Sequence, residues 1–332
     1  MIMSGADRML REVRERMPAC VRNRIEPFIQ LGRFYLNYYF RMPGFPKKIN
    51  MSLSSACQAK CIYCPPDRGR HIRPIHMPFG LAARIFDELA AREYRGHINL
   101  GENGEALLNP EFIKILEYMS ITLPHVSSQL VSNMNRCDEA ISRKVLEVGV
   151  SEMHLNIDGA TRFTYEYVKG LPFEVMKGNV HAFLRVRNAM GSRCKVYINV
   201  LTAAEYLKTT RGVDPEMRSD ADEIMLYWKP FLRDGDAIRE LRPFMWAGRD
   251  EMRIPNMIGC ALLSRVVREL FVAPNGECYV CCLDDNAQIG HGNLNQSCIA
   301  EVWKGQKRHN ILRNLFLKRF KKLGEPCSIC LY

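Results

Sequence analysis

The sequence predicts an α/β fold, a partial (β/α)6 TIM barrel followed by a small cysteine-rich domain, and three observations carry this expectation. Short apolar runs that end in small or polar residues alternate with amphipathic stretches from Lys48 onward. Near residue 250 the alternation gives way to a hairpin signal and a higher density of cysteine. The length of 332 residues and hydrophobic content of 47% suffice for one domain of roughly 200 residues and a smaller partner.

Residues 1–46 read as an N-terminal helical arm. Met9, Leu10, Val13 and Met17 fall at helical spacing, and an aromatic-rich stretch runs from Phe28 to Phe40. The arm is expected to pack on the main domain; Arg24, Arg33 and Arg41 beside the aromatics open the alternative of a membrane-surface or partner helix. In residues 47–250 the expected strands are Ile49 to Leu53, His97 to Leu100, Ser127 to Val131, Glu152 to Ile157, Lys195 to Leu201 and Glu223 to Trp228. Helical patterns fill the gaps at Leu81 to Arg92, Glu111 to Met119, Glu139 to Val148 and Val175 to Met190. Strands alternating with helices imply a parallel sheet, and in such folds the residues after each strand converge on one site. Residues 251–332 read as a separate small domain. Its hairpin runs from Leu270 to Ala273, turns at Pro274-Asn275-Gly276 and returns from Cys278 to Cys282.

Composition narrows the function. No apolar run approaches the roughly 18 residues of a membrane span, and the first residues are charged throughout, so a cytoplasmic protein without a span or signal peptide is expected. Thirteen cysteines, several in tight clusters, argue for thiolate ligands in a reducing compartment rather than disulfides. A net charge of +11 is dispersed apart from Lys307 to Lys322, which favours an anionic small substrate or partner over nucleic acid.

The first expected strand runs directly into Ser55-Ala-Cys57-Gln-Ala-Lys-Cys61-Ile-Tyr63-Cys64-Pro-Pro66. Three thiolates spaced C-x3-C-x2-C hold three corners of a metal cluster and leave a fourth position open. A buried helical stripe would also place these cysteines on one face, but Pro65 and Pro66 cut such a helix at once. Structural zinc wants four ligands, and the motif offers three.

With Tyr63 before its last cysteine, this segment resembles the signature of the radical S-adenosylmethionine superfamily. The resemblance implies a 4Fe-4S cluster on Cys57, Cys61 and Cys64 whose open iron is chelated by S-adenosylmethionine. One-electron cleavage then releases a 5'-deoxyadenosyl radical that abstracts a substrate hydrogen. Tyr63 is carried over with the motif as a cofactor contact. Gly104 and Glu105, within Gly101 to Pro110, resemble the family's glycine-glutamate motif that contacts the methionine amino group, with Asn103 and Ala106 replacing its usual glycine and proline. Ser132 and Asn133 resemble the Thr-Asn-Gly position, with Met134 in place of glycine, and Asn156 to Gly159, with Asp158, resembles the segment near the ribose.

Cys260, Gly276, Cys281 and Cys327-Ser-Ile-Cys330 follow the order of the auxiliary-cluster domains called SPASM and Twitch, which implies a second 4Fe-4S cluster on Cys260, Cys281, Cys327 and Cys330. Cys278, Cys281 and Cys282 were all expected on one strand, so alternation leaves open which of them is the ligand. Cys278-x2-Cys281 with Cys327-x2-Cys330 also reads as a zinc ribbon. Ile289 to Leu294 reads as a turn and Glu301-Val-Trp303 as a helix start. Of the remaining cysteines, Cys20, Cys137 and Cys298 read as packing residues. Cys194 or Cys282 is a candidate hydrogen-atom donor, the role a free cysteine plays in radical epimerases.

The resemblance implies an enzyme acting on a sugar, nucleoside or nucleotide-sugar carbon in natural-product or antibiotic biosynthesis, by dehydrogenation, epimerisation or carbon-carbon bond formation. An auxiliary cluster without an open iron suits electron transfer, and a flavodoxin or ferredoxin is the expected reductant. A peptide- or protein-modifying enzyme is the alternative, and a non-catalytic zinc-ribbon module the alternative of another class.

Overall fold

The computed structural model describes residues 42–64, 74–201, 221–241, 260 and 262–330, together with residue 32. The expected N-terminal arm lies almost wholly outside the described residues. Six parallel strands follow in order: β1 (Lys48–Met51), β2 (His97–Asn99), β3 (Ser127–Ser132), β4 (Glu152–Asn156), β5 (Lys195–Leu201) and β6 (Ala237–Leu241). Between them run α1 (Phe79–Ala91), α2 (Phe112–Thr122), α3 (Glu139–Glu147), α4 (Arg162–Lys169), α5 (Phe173–Ala189) and α6 (Ala221–Trp228).

Each helix buries the stripe that the sequence marks as apolar. On α1, Leu81, Ala82, Ile85, Phe86 and Leu89 recur at helical spacing and pack on the outer face of the sheet against Ile49, Met51 and Ile98. Asp138 caps α3 by accepting from the Ile141 amide at 2.9 Å, and Thr161 with Thr164 forms a capping box on α4.

One expected strand is a helix. In α6, Ile224 and Trp228, four positions apart, are buried while Leu226 between them is 79% exposed, a helical rather than an alternating pattern. The sixth strand is instead Ala237–Leu241, whose Arg239 is exposed on the sheet's edge. Its entry turn is fixed by a buried ion pair. Arg187 Nη1 donates to both carboxylate oxygens of Asp236 at 2.9 and 2.7 Å, and the Val196 amide donates to the same carboxylate at 2.8 Å.

The cysteine-rich region extends the same sheet. After a short helix, α7 (Leu263–Val266), β7 (Glu269–Val272) pairs in parallel with β1, and β8 (Glu277–Tyr279) and β9 (Gly290–Asn293) add antiparallel strands, giving nine strands in the order β6-β5-β4-β3-β2-β1-β7-β8-β9. Two expectations change here. The return strand stops at Tyr279, so Cys281 and Cys282 lie in the loop beyond it and alternation along a strand does not apply to them. Ile289 to Leu294 contains β9 rather than a turn alone. Helices α8 (Ile299–Lys304) and α9 (Gln306–Phe316) complete the described chain, and a second, smaller apolar core forms around Val266, Val280, Leu283, Leu312 and Leu315.

The inner face of the sheet is polar. The residues that alternate with the outer apolar set include Asn50, Asn99, Gln129, His154 and Asn199. They are linked by side-chain hydrogen bonds, among them Asn99 to Asn50 at 3.2 Å, Asn50 to Glu269 at 2.9 Å and Asn199 to Asn156 at 3.0 Å. No described helix is long and apolar enough to cross a membrane.

Candidate active site

The cysteine loop leaves β1 as irregular chain rather than a helix, which removes the buried-stripe alternative. Ser52 bridges Gly101 and Ser54 bridges His76, so both flanks of the loop are clamped. Cys57 is exposed, and Cys61 and Cys64 are half-buried. The Lys60 and Ile62 amides donate to the Lys169 and Val168 carbonyls at 2.8 and 3.0 Å, docking the loop on the last turn of α4.

Gly104 and Glu105 follow β2 and meet this loop. Gly104 has φ +72°, and a Cβ there would strike the Ser54 carbonyl, so only glycine permits the approach. The Glu105 amide donates to the Ala56 carbonyl at 2.8 Å. Its buried carboxylate accepts from the Asn133 amide at 3.0 Å and the Leu107 amide at 3.4 Å. Burial raises the Glu105 carboxyl above its usual range, opposed by hydrogen bonds from the Asn133 amide and the Ser132 hydroxyl. Asn133 turns back to the cysteines: its Oδ1 accepts from Gln58 Nε2 at 3.0 Å, and its Nδ2 lies 3.9 Å from Cys57 Sγ. Met134 adopts φ +66°, the left-handed backbone that glycine would take without cost.

The fourth strand ends in Asn156 and Asp158. Asn156 is held by Asn199, whereas Asp158 is engaged by two side chains, Tyr63 and Lys169. Lys169 was missed in the sequence, as were Asn109 and Arg265. Asn109 Nδ2 donates to the Leu53 and Met77 carbonyls at 2.8 and 2.9 Å and so supports the loop's entry. A donor set of three thiols, with the buried Ser52 Oγ, Gln58 Oε1 and Asn135 Oδ1 without a hydrogen-bond partner among the described residues, fits a cluster whose open corner takes a ligand carrying an ammonium and hydroxyl groups.

Cys260, Cys281, Cys327 and Cys330 gather around the second core. Burial raises all of the first three, Cys260 to about 11 and Cys327 to about 12. Cys281 is raised further by Cys327 and Cys260, and Cys260 and Cys327 each by Cys330. Cys278 points elsewhere, fully buried in the main core with Glu277 as its charged neighbour, so the zinc-ribbon pairing through Cys278 is not assembled. Among the described residues no group of three or more His, Cys, Asp or Glu closes to the spacing of a single metal ion. Cys137 is buried beside Ser142, and Cys298 caps α8. Cys194 is buried at the start of β5, where its thiol donates to the Lys195 carbonyl at 3.6 Å; Cys20 lies outside the described residues.

Cys282 packs against the second core beside Arg265. Arg265 Nη1 donates to its sulfur at 3.1 Å, while the same guanidinium binds Glu269 at 3.0 Å and lies 3.7 Å from Glu102. Glu102 accepts from Asn99 at 2.6 Å, so this network continues the polar inner face of the sheet. Desolvation pushes the Cys282 thiol up to about 12, Glu102 adding to the rise and Arg265 opposing it. Nearby, Asn103 Nδ2 donates to Tyr279 Oη at 3.1 Å, and a cavity of about 120 Å³ opens among Ser52, Ser55, Asn103 and Tyr279.

Comparison with known proteins agrees with this layout. The family profile for the Radical SAM superfamily matches residues 51–210, and that for an iron-sulfur cluster-binding domain, SPASM, matches residues 260–331. No curated protein matches the chain by sequence. Among solved structures, BtrN in complex with AdoMet and 2-DOIA aligns with a TM-score of 0.56 at 15% identity, over 86% of this chain and 93% of that one. The protein anSMEcpe with bound AdoMet aligns with a TM-score of 0.61 at 14% identity, over 86% of this chain and 84% of that one. SuiB of Streptococcus suis, bound to its precursor peptide SuiA, aligns with a TM-score of 0.56 at 11% identity, over 93% of this chain and 80% of that one. At these identities the likeness is one of fold.

Proposed function

We propose, from the premise that this chain is a radical SAM superfamily protein with a C-terminal SPASM domain, that it abstracts hydrogen from a carbon of a polyhydroxylated small molecule held inside the barrel. A sugar, nucleoside or nucleotide sugar is the proposed class. S-adenosylmethionine and iron-sulfur clusters are the cofactors; when bound they supply a single electron and a hydrogen-abstracting radical. In this reading Cys57, Cys61 and Cys64 hold the first cluster, and Tyr63, Gly104, Glu105, Ser132, Asn133, Asn156 and Asp158 frame S-adenosylmethionine. Cys260, Cys281, Cys327 and Cys330 hold one auxiliary cluster, and a flavodoxin or ferredoxin is the reductant.

The observation that carries the substrate class is the polar lumen. Asn50, Asn99 and Asn199 present amides that both donate and accept, as hydroxyl groups require. The lumen carries Glu102, Glu269, Arg265 and Lys48, charges of both signs, which suits a hydroxyl-rich ligand better than an apolar side chain. The second reading, a peptide- or protein-modifying enzyme, is favoured by the fold likeness to anSMEcpe bound to Cp18Cys peptide and to SuiB bound to SuiA.

Of the two candidate hydrogen donors, Cys282 is the one whose surroundings support the role. It joins the lumen network through Arg265, whereas Cys194 is buried in the main apolar core with Val196 and Ile198, its thiol donating to the Lys195 carbonyl. Return of hydrogen from the Cys282 S–H forms a substrate C–H bond as the S–H bond breaks. The sulfur radical left behind regains one electron from the reductant and one proton from solvent. The net change is inversion at carbon. In D2O with dithionite, 2-DOIA and nucleotide sugars are expected to stimulate 5'-deoxyadenosine release and to yield a product carrying one solvent deuterium. Cys282→Ala is expected to keep the release and lose the deuterium. Stimulation by peptides alone removes the proposed substrate class, and deuterium retained in the variant removes Cys282.

A further inference from the structure

We propose that Lys169 is a positioning residue that locks the cysteine loop in place through Tyr63 and Asp158. This rests on the assignment of Cys57, Cys61 and Cys64 to the first cluster. Lys169 Nζ donates to Tyr63 Oη at 2.6 Å, Tyr63 Oη donates to Asp158 Oδ2 at 2.7 Å, and Lys169 forms an ion pair with that same oxygen. The three groups close a ring in which the phenol is acceptor to the ammonium and donor to the carboxylate. The Lys169 and Asp158 side chains are each 3% exposed, so neither charge can turn to water for compensation.

Position in the fold gives the ring its effect. Tyr63 lies between Cys61 and Cys64, Asp158 follows β4, and Lys169 is the last residue of α4. The backbone of the same helical turn accepts from the Lys60 and Ile62 amides, on either side of Cys61. Gly170 ends α4 at φ +62°, and a Cβ there would stand 3.1 Å from Lys60 Cβ, so loop and helix end are in direct contact. One side chain and two backbone bonds thus hold the segment carrying Cys61 and Cys64 against β4 and α4. Upstream in the same loop, Cys57 Sγ lies 3.9 Å from Asn133 Nδ2, just beyond the end of β3.

A second consequence concerns charge. The buried Asp158 carboxylate has its cation in the Lys169 ammonium, which also lies 5.3 Å from the Tyr63 ring centre. Arginine can preserve this charge, whereas methionine keeps only the length and the apolar stem.

Two measurements test the lock. In the full-length chain before cluster reconstitution, Lys169→Met is expected to speed alkylation of Cys61 and Cys64, followed by mass spectrometry, by about tenfold or more, the factor a lost charge-assisted bond gives. Tyr63→Phe, which keeps the ion pair and removes the hydroxyl, gives a smaller increase and serves if Lys169→Met fails to fold. Lys169→Met with Asp158→Asn, which leaves no uncompensated charge, returns the rate toward wild type. In the reconstituted holoenzyme, the change in the electron paramagnetic resonance spectrum on adding S-adenosylmethionine is expected to be lost in Lys169→Met and restored in Lys169→Arg. Unchanged alkylation in both folded single variants overturns the lock, whatever the wild-type holoenzyme does with S-adenosylmethionine. A spectrum that responds to S-adenosylmethionine in Lys169→Met as in wild type overturns it as well.

Discussion

Replacing Cys57, Cys61 and Cys64 together by alanine is expected to abolish S-adenosylmethionine cleavage and to lower iron from about eight to about four per chain after anaerobic reconstitution, the content of two and of one 4Fe-4S cluster. The effect is all-or-none because, in the proposed assignment, these thiols are the whole protein contribution to the first cluster. Asn133 and Glu105 brace the loop but offer no further sulfur. Cys327→Ala gives the complementary result. It removes a proposed ligand from the second group, more than 200 residues along the chain, and leaves the cysteine loop, Gly104 and Glu105 untouched. Uncoupled cleavage therefore survives in that variant better than substrate conversion does. Iron content and 5'-deoxyadenosine, measured on the same samples, separate the two cases.

The second large effect falls on stability. Arg187→Met is expected to destabilise the chain by about 3–5 kcal/mol, because it leaves the Asp236 carboxylate buried without its cation. The two side chains are 0% and 1% exposed, so water cannot take the place of the guanidinium. Asp236 also fixes β5 to the turn before β6 through the Val196 and Arg233 amides. The loss is read as a lower urea midpoint. Arg187→Met with Asp236→Asn recovers part of it, since an amide can still accept from those N–H groups without carrying a charge. Neither residue touches the cysteine loop, so iron uptake of the folded fraction stays at the wild-type level.

Much of the barrel was legible because its strands carry a physical pattern that sequence alone preserves. Ile49, Ile98, Leu130, Leu155 and Ile198 lie in apolar runs that end in small or polar residues, and each run is a strand. The exception is instructive. Glu-Ile-Met-Leu-Tyr-Trp is as apolar as a strand, and only burial of Ile224 and Trp228 with Leu226 in solvent reveals the helical period. Ala-Ile-Arg-Glu-Leu carries two charges in five residues, so the true sixth strand at the sheet edge gave no comparable signal.

The candidate cysteine sites were legible for a different reason: the spacing that marks them is local. What spacing could not provide was the choice among Cys278, Cys281 and Cys282, because that choice depends on where β8 ends. Once the strand stops at Tyr279, Cys281 enters the second core beside Cys260 and Cys327, and Cys278 stays in the main one. Lys169 and Arg265 left no trace in the sequence because their partners are remote. Lys169 reaches Tyr63 across 106 positions, and Arg265 reaches Glu102 from the cysteine-rich region. A lone basic residue at the end of a helix carries no mark of such a contact.

The central claim is that an open-cornered cluster on Cys57, Cys61 and Cys64 cleaves S-adenosylmethionine. The most direct measurement is 5'-deoxyadenosine release from the anaerobically reconstituted wild-type chain with dithionite, alongside its iron and zinc content. Release accompanied by about eight irons per chain is the predicted result. Bound zinc without any 5'-deoxyadenosine would contradict it.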